Sequence, residues 1–100
     1  MCVASRHLRY LDLVLDAGRT YGAEKTFFLA CGPMTDAYCG NVEWVAAAAM
    51  AHGVRAFLLD QRGFACDCCG HPGSKADAQM ADRTVAFIKD KMGWAVVEDQ

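Results

Sequence analysis

The sequence predicts an α/β fold in which short parallel strands alternate with helices. Two segments, residues 26–31 and 54–59, are apolar on both faces and too short for a helix, the mark of strands buried on two sides. Helix-periodic segments precede the first, separate the two and follow the second. Strands and helices in that alternation imply a parallel sheet joined by right-handed crossovers. One hundred residues hold one small domain with a thin core.

Each element has its own signal. Over residues 5–20, Leu8, Leu11, Val14 and Leu15 fall at spacings of three and four on one helical face, and Gly18 or Gly22 closes the helix. The first strand, Thr-Phe-Phe-Leu-Ala-Cys, is bounded by Lys25 and by Gly32-Pro33. Asn41 is placed to cap a second helix, whose Val42, Val45, Ala49 seam runs to a stop at Gly53 and whose small alanines allow close approach to a sheet. The second strand, Val-Arg-Ala-Phe-Leu-Leu, leads to Asp60. Residues 61–73 mix glycine, cysteine, aspartate and proline without periodicity and read as a loop. Ser74 with Asp77 three residues on resembles a capping box, opening a third helix with Ala76, Met80, Thr84, Phe87 and Ile88 inward and a stop at Gly93. Ligands of parallel sheets bind at the carboxyl ends of the strands, so the loops 32–40 and 61–73 mark the functional edge.

Composition narrows the function. A chain 54% hydrophobic and 22% charged is too apolar for overall disorder. Ten Lys and Arg against twelve Asp and Glu leave a net charge of -2, without the basic excess of a nucleic-acid partner. No run approaches the ~18 apolar residues of a membrane span. The N-terminus, Met-Cys-Val-Ala-Ser-Arg-His, lacks the apolar stretch of a signal peptide, yet six cysteines point to an oxidising compartment. A segment of a longer secreted protein, whose leader and first half lie outside this sequence, reconciles the two.

His71 is the leading candidate for chemistry. It follows a buried strand, lies in a loop at the functional edge and is held by Pro72 before a helix; an imidazole there titrates near neutrality and can serve as general base to a hydroxyl nucleophile. His7, at a charged helix start, and His52, in a last helical turn where a cation suits the dipole, read as structural. Cys66, Cys68, Cys69 and His71 form C-x-C-C-x-H, four soft ligands within six residues, which would make the loop a zinc module. Adjacent cysteines rarely chelate one ion, so a disulfide framework is preferred, with Cys39 in the first edge loop bridged to one of the cluster in the second. Trp44 and Trp94 read as packing aromatics rather than stacking platforms.

Cys31-Gly32-Pro33-Met34, the strand end Leu58-Leu59-Asp60, the turn Cys68-Cys69-Gly70-His71-Pro72, the later Met80-Ala81 and the terminal Lys91-Met92-Gly93-Trp94 together resemble the C-terminal half of an SGNH (GDSL-type) hydrolase. More narrowly, the chain is similar to the carbohydrate-esterase branches of that family, over about residues 5 to 95. The resemblance implies a flavodoxin-like three-layer sandwich and a serine esterase that removes acyl groups, usually acetyl, from sugars. It implies that His71, the histidine preceding proline, is the catalytic base. The family's nucleophilic serine lies in a glycine-aspartate-serine motif that this chain lacks, since Ser5 and Ser74 are its only serines. The family's triad acid stands three residues before the histidine, where this sequence has Cys68. Asp67 is the nearest substitute, and some relatives orient the histidine through a backbone carbonyl instead. Asp77 stands where relatives often carry a second histidine and is assigned only a helix cap. No cofactor or metal enters this chemistry. The expected substrate is an acylated carbohydrate, bound once the N-terminal half completes the domain. With that half absent, a bare strand edge displaying Phe27, Phe28 and Leu29 is expected to drive self-association.

Overall fold

The computed structural model describes residues 3–33, 35–64 and 73–94, with the backbone alone over 3–7. Its elements are α1 (Val3–Tyr21), β1 (Thr26–Cys31), α2 (Cys39–Ala51), β2 (Arg55–Asp60) and α3 (Ser74–Met92). The strands are parallel neighbours, in register from Thr26 opposite Arg55 to Cys31 opposite Asp60. This is the expected α/β arrangement. The second strand begins one residue later than its apolar run, because the Val54 amide donates to Ala49 O (3.0 Å) and so belongs to the turn, while Asp60 extends the pairing.

The pleat sorts the strand residues onto two faces. On one face Leu29, Cys31 and Ala56 join Val42, Val45, Ala46 and Ala49 of α2 and Leu11 and Val14 of α1 in a single core, with Phe27 and Leu58 packed against it. Val45, Ala49 and Ala56 are wholly buried. Alanine on both sides of this contact lets the helix lie close to the sheet. Gly18 has a similar purpose on α1, since a Cβ there would come within 2.8 Å of Val54 Cγ2. The packed face of α1 starts at Leu11; Leu8, expected inward, is 51% exposed.

On the opposite face α3 covers the sheet less completely. Phe57 and Phe87 approach Phe28 at 6.1 and 5.9 Å between ring centroids, the second pair edge-on. Ala76 is the one buried residue of α3 among the described residues. Leu59 is also buried on this face, and polar contacts add to it. Gln61 Nε2 donates to Thr84 Oγ1 (2.7 Å), and Arg83 Nη1 donates to the carbonyls of Asp60 (3.2 Å) and Arg62 (3.0 Å) while its guanidinium lies 4.1 Å above the Phe64 ring. At the other end Arg55 donates to Thr26 Oγ1 (2.8 Å) and to Lys91 O (3.3 Å). These pairings set α3 antiparallel to β2. Its first ten residues therefore extend past the carboxyl end of the sheet, by about 15 Å at 1.5 Å per residue.

The helix starts differ from the sequence expectation. α2 begins at Cys39 rather than after Asn41, and Tyr38 at the cap position offers no side-chain bond; the first turn is held by Cys39 N to Asp36 O (3.1 Å) and Val42 N to Tyr38 O (3.0 Å). α3 has Gly73 at its cap position, so Ser74 is already helical and closes no capping box, although Asp77 in the first turn still complements the helix dipole. The stops are as expected: Gly22 (φ 103°) ends α1 and Gly93 (φ 70°) ends α3, conformations that glycine adopts without a Cβ penalty. The exposed apolar edge is only partly as expected. Leu29 is buried under α2 and Phe27 and Phe28 are half-buried, while Ala30 is exposed. Among the described residues, neither strand has a second strand partner.

Candidate functional site

The two edge loops meet at the carboxyl end of the sheet. Gln61 N donates to Cys31 O (2.9 Å), carrying the strand pairing one residue further. Gly32 (φ 83°) then passes so close that a Cβ on it would stand 3.0 Å from Gln61 C and 3.1 Å from Arg62 N. Backbone on both sides makes glycine the residue that fits. The Gly32-Pro33 peptide is cis.

Each loop is anchored by its own device. Cys31, the last residue of β1, and Cys39, the first of α2, form a disulfide with Cα atoms 5.3 Å apart, well inside the usual range. Cys39 is thus already bonded, and the expected bridge from it to the Cys66, Cys68 and Cys69 cluster is replaced by this shorter one. The reason is topological: the segment between β1 and α2 reverses direction at once, which brings its two ends together. In the second loop Asp60 and Arg62 form a fork, with Arg62 Nε and backbone N each 2.9 Å from Oδ1 and Nη2 2.8 Å from Oδ2. The Arg62 side-chain and backbone hydrogen bonds hold the Asp60 carboxyl down at about 2.

Between the anchored loops lies a cleft of about 360 Å³ lined by Pro33, Thr35, Asp36, Arg62 and Gly63. A hollow of about 250 Å³ at the opposite edge, lined by Leu15, Arg19, His52, Val54 and several glycines, is formed where side chains are missing and brings no acid and base together. The cleft at the carboxyl edge is the functional candidate. Beside it the Gln61 side chain is 7% exposed, and its Oε1 is buried without a hydrogen-bond partner among the described residues. Such an acceptor is costly to leave unfilled.

His71 and Asp67 lie outside the described residues, as do Cys66, Cys68 and Cys69. Their chain neighbours do not. Phe64, the last described residue before them, sits under Arg83 at the carboxyl edge, and Gly73, the first after them, opens the overhanging end of α3. His52 is structural as expected, with Nδ1 2.8 Å from Ala48 O at the end of α2. Trp44 and Trp94 keep 43% and 56% of their surface exposed, so packing accounts for only part of each. Asp60, Arg62 and Arg83 escaped the sequence reading. The one available signal was Asp60-Gln61-Arg62 directly after a buried strand, a spacing that lets the carboxylate meet both the backbone and the guanidinium two residues on.

Compared with known proteins, the chain matches no family model, no curated protein and no solved structure. Functional reading therefore rests on the sequence and on this edge.

Proposed function

We propose that the chain is the C-terminal part of a serine-type carbohydrate O-acyl (acetyl) esterase of the SGNH kind, in which His71 is the catalytic base and the nucleophile comes from residues beyond this sequence. The observation that supports the reading is the carboxyl edge, where two anchored loops frame a polar cleft beside the strand end that leads to Phe64. In this role His71 takes the proton of the attacking serine hydroxyl and returns it to the departing sugar oxygen, while Asp67 or a backbone carbonyl holds the imidazole in the required tautomer. An oxyanion hole and nucleophile must be supplied from the other half, because base catalysis alone forfeits most of the acceleration.

Kinetics on aryl acetates test this. The chain by itself should show no hydrolysis above background. Joined to a complementary segment carrying the glycine-aspartate-serine block it should turn over, and His71→Ala should then cost about 10³-fold or more in kcat. Asp67→Asn should cost less if a carbonyl orients the ring. Hydrolysis by the chain alone that vanishes in His71→Ala would overturn the half-enzyme reading, and four free thiols with one zinc bound would favour a cysteine-rich module instead.

The same reading makes the outer edge of β1 the seam to the other half. Its backbone groups, unpaired among the described residues, and exposed Ala30 favour pairing with a second chain. Sedimentation velocity should find self-association that disappears when the complementary half is added; a cooperatively unfolding monomer would argue against it.

A further inference from the structure

The cleft at the carboxyl edge has a chemistry of its own. Arg62 uses Nε and Nη2 on Asp60. That fixes the guanidinium plane and, among the described residues, leaves both protons of Nη1 and one of Nη2 to donate. Thr35 Oγ1 accepts from Ala37 N (3.1 Å), which orients the hydroxyl and leaves its proton to donate. Asp36 is exposed, and its carboxylate makes no hydrogen bond among the described residues. Two donors and an acceptor unpaired among the described residues thus line one hollow of about 360 Å³, near the small end of the ~300–1,000 Å³ typical of small-molecule sites.

Charge decides among ligand classes. Asp60, Asp36 and Glu43 all act on Arg62, and Arg83 acts on Asp60. Three carboxylates against two guanidiniums repel an anion, while a cation would meet the guanidinium of Arg62 at the mouth. Among the described residues no three His, Cys, Asp or Glu side chains cluster as metal ligands. A neutral polyhydroxylated ligand suffers neither penalty, and its adjacent hydroxyls can accept from Arg62 and donate to Asp36 at once.

We infer that this cleft is a binding subsite for a neutral sugar unit, with Arg62 as the fixed donor, Asp36 as the acceptor and Thr35 as a second donor. The inference deepens the esterase reading and rests on it for the nature of the substrate, although the residues are separate from His71 and Asp67. It assigns the enzyme to neutral glycan chains rather than to uronate-bearing ones.

The test is a titration of the ¹⁵N-labelled chain with xylotriose and cellotriose, compared with trigalacturonate and inorganic phosphate. A neutral trisaccharide should shift the amides of Thr35, Asp36, Arg62 and Gly63 together, with a Kd on the order of 1 mM. Arg62→Met and Asp36→Asn should each weaken it about tenfold. Asp36→Asn removes no hydrogen bond among the described residues, so an amide spectrum otherwise unchanged separates a loss of binding from a loss of fold. If self-association broadens the amide signals, saturation transfer to the trisaccharide protons gives the same comparison. Tighter binding of trigalacturonate or phosphate, binding unchanged in both variants, or no shift with either neutral sugar would each overturn the assignment. The two readings fail separately. Sugar binding that needs Arg62 without His71-dependent hydrolysis in the completed enzyme would retain the cleft and sink the esterase, and the reverse would do the opposite.

Discussion

The two faces of the sheet are held by different forces. Toward α1 and α2 the contact is dry and closely packed: Val45, Ala49 and Ala56 have no exposed surface, and every other core residue on that side is nearly as deep. Toward α3 the contact is a partly buried aromatic trio on the same face as buried Leu59, flanked by arginines that reach backbone carbonyls. The first face draws its stability from apolar burial, which has no direction. The second has less of that burial and adds directional hydrogen bonds, which contribute less but favour one position. Positioning is what the carboxyl edge needs, since α3 and the Asp60–Arg62 fork share it.

Substitutions on the two faces should therefore differ in size. Val45→Asp places an unpaired carboxylate at a fully buried point and should cost about 4 kcal/mol or more, enough to unfold so small a domain. Far-ultraviolet circular dichroism at 25 °C should show the loss. A folded variant would mean that the α2 face is looser than its burial says. Next in size, Cys31→Ala with Cys39→Ala opens a bridge eight residues apart. In the chain-entropy account the loss is about 2.5 kcal/mol, measurable by urea unfolding against the oxidised parent. A bridge to the 66–69 cluster would instead have closed a loop worth about 3.5 kcal/mol. Non-reducing peptide mapping should recover Cys31 joined to Cys39.

Phe87→Ala tests the second face. The ring is only half-buried, so the cost should be about 1–2 kcal/mol, below the ~3–5 kcal/mol of a fully buried aromatic. A loss as large as that of a core residue would erase the contrast between the faces. Smallest is Asp60→Asn. Because the folded carboxyl sits at about 2, below its ordinary 3.8, its contribution is present above about pH 4 and is lost as pH falls toward 2. Parent and variant should differ slightly at pH 5 and converge by pH 2, with solvent screening keeping the difference small. Divergence on acidification would show that the fork is not what sustains Asp60.

What could be read from the sequence follows the same division. Apolar periodicity locates Val42, Val45 and Ala49 on a buried seam and marks both strands to within a residue, because burial is written in residue type and spacing. Gly22 and Gly93 announce helix ends through their backbone freedom. Leu8 was misplaced because periodicity says which side of a helix is apolar, but not how far its neighbour extends. Asn41 and Ser74 look like caps, yet α2 starts on the backbone bonds of the turn before it and α3 has Gly73 at its cap position. The fork and the Arg83 clamp depend on which residues meet after α3 has docked, and no local pattern encodes that. Cys31 illustrates the point: as a strand residue it reads as core, and only the reversal of the chain shows it beside Cys39.

Arg55 and Arg83 have a mechanical consequence as a pair. One reaches from strand to helix near the amino end of the sheet, the other from helix to strand near the carboxyl end. A helix held by apolar contact alone can slide along a sheet at modest cost. Held by two guanidiniums of opposite origin, α3 cannot advance by a single residue without both losing their carbonyls. The two contacts thus act as pins that favour one register of α3 along β2.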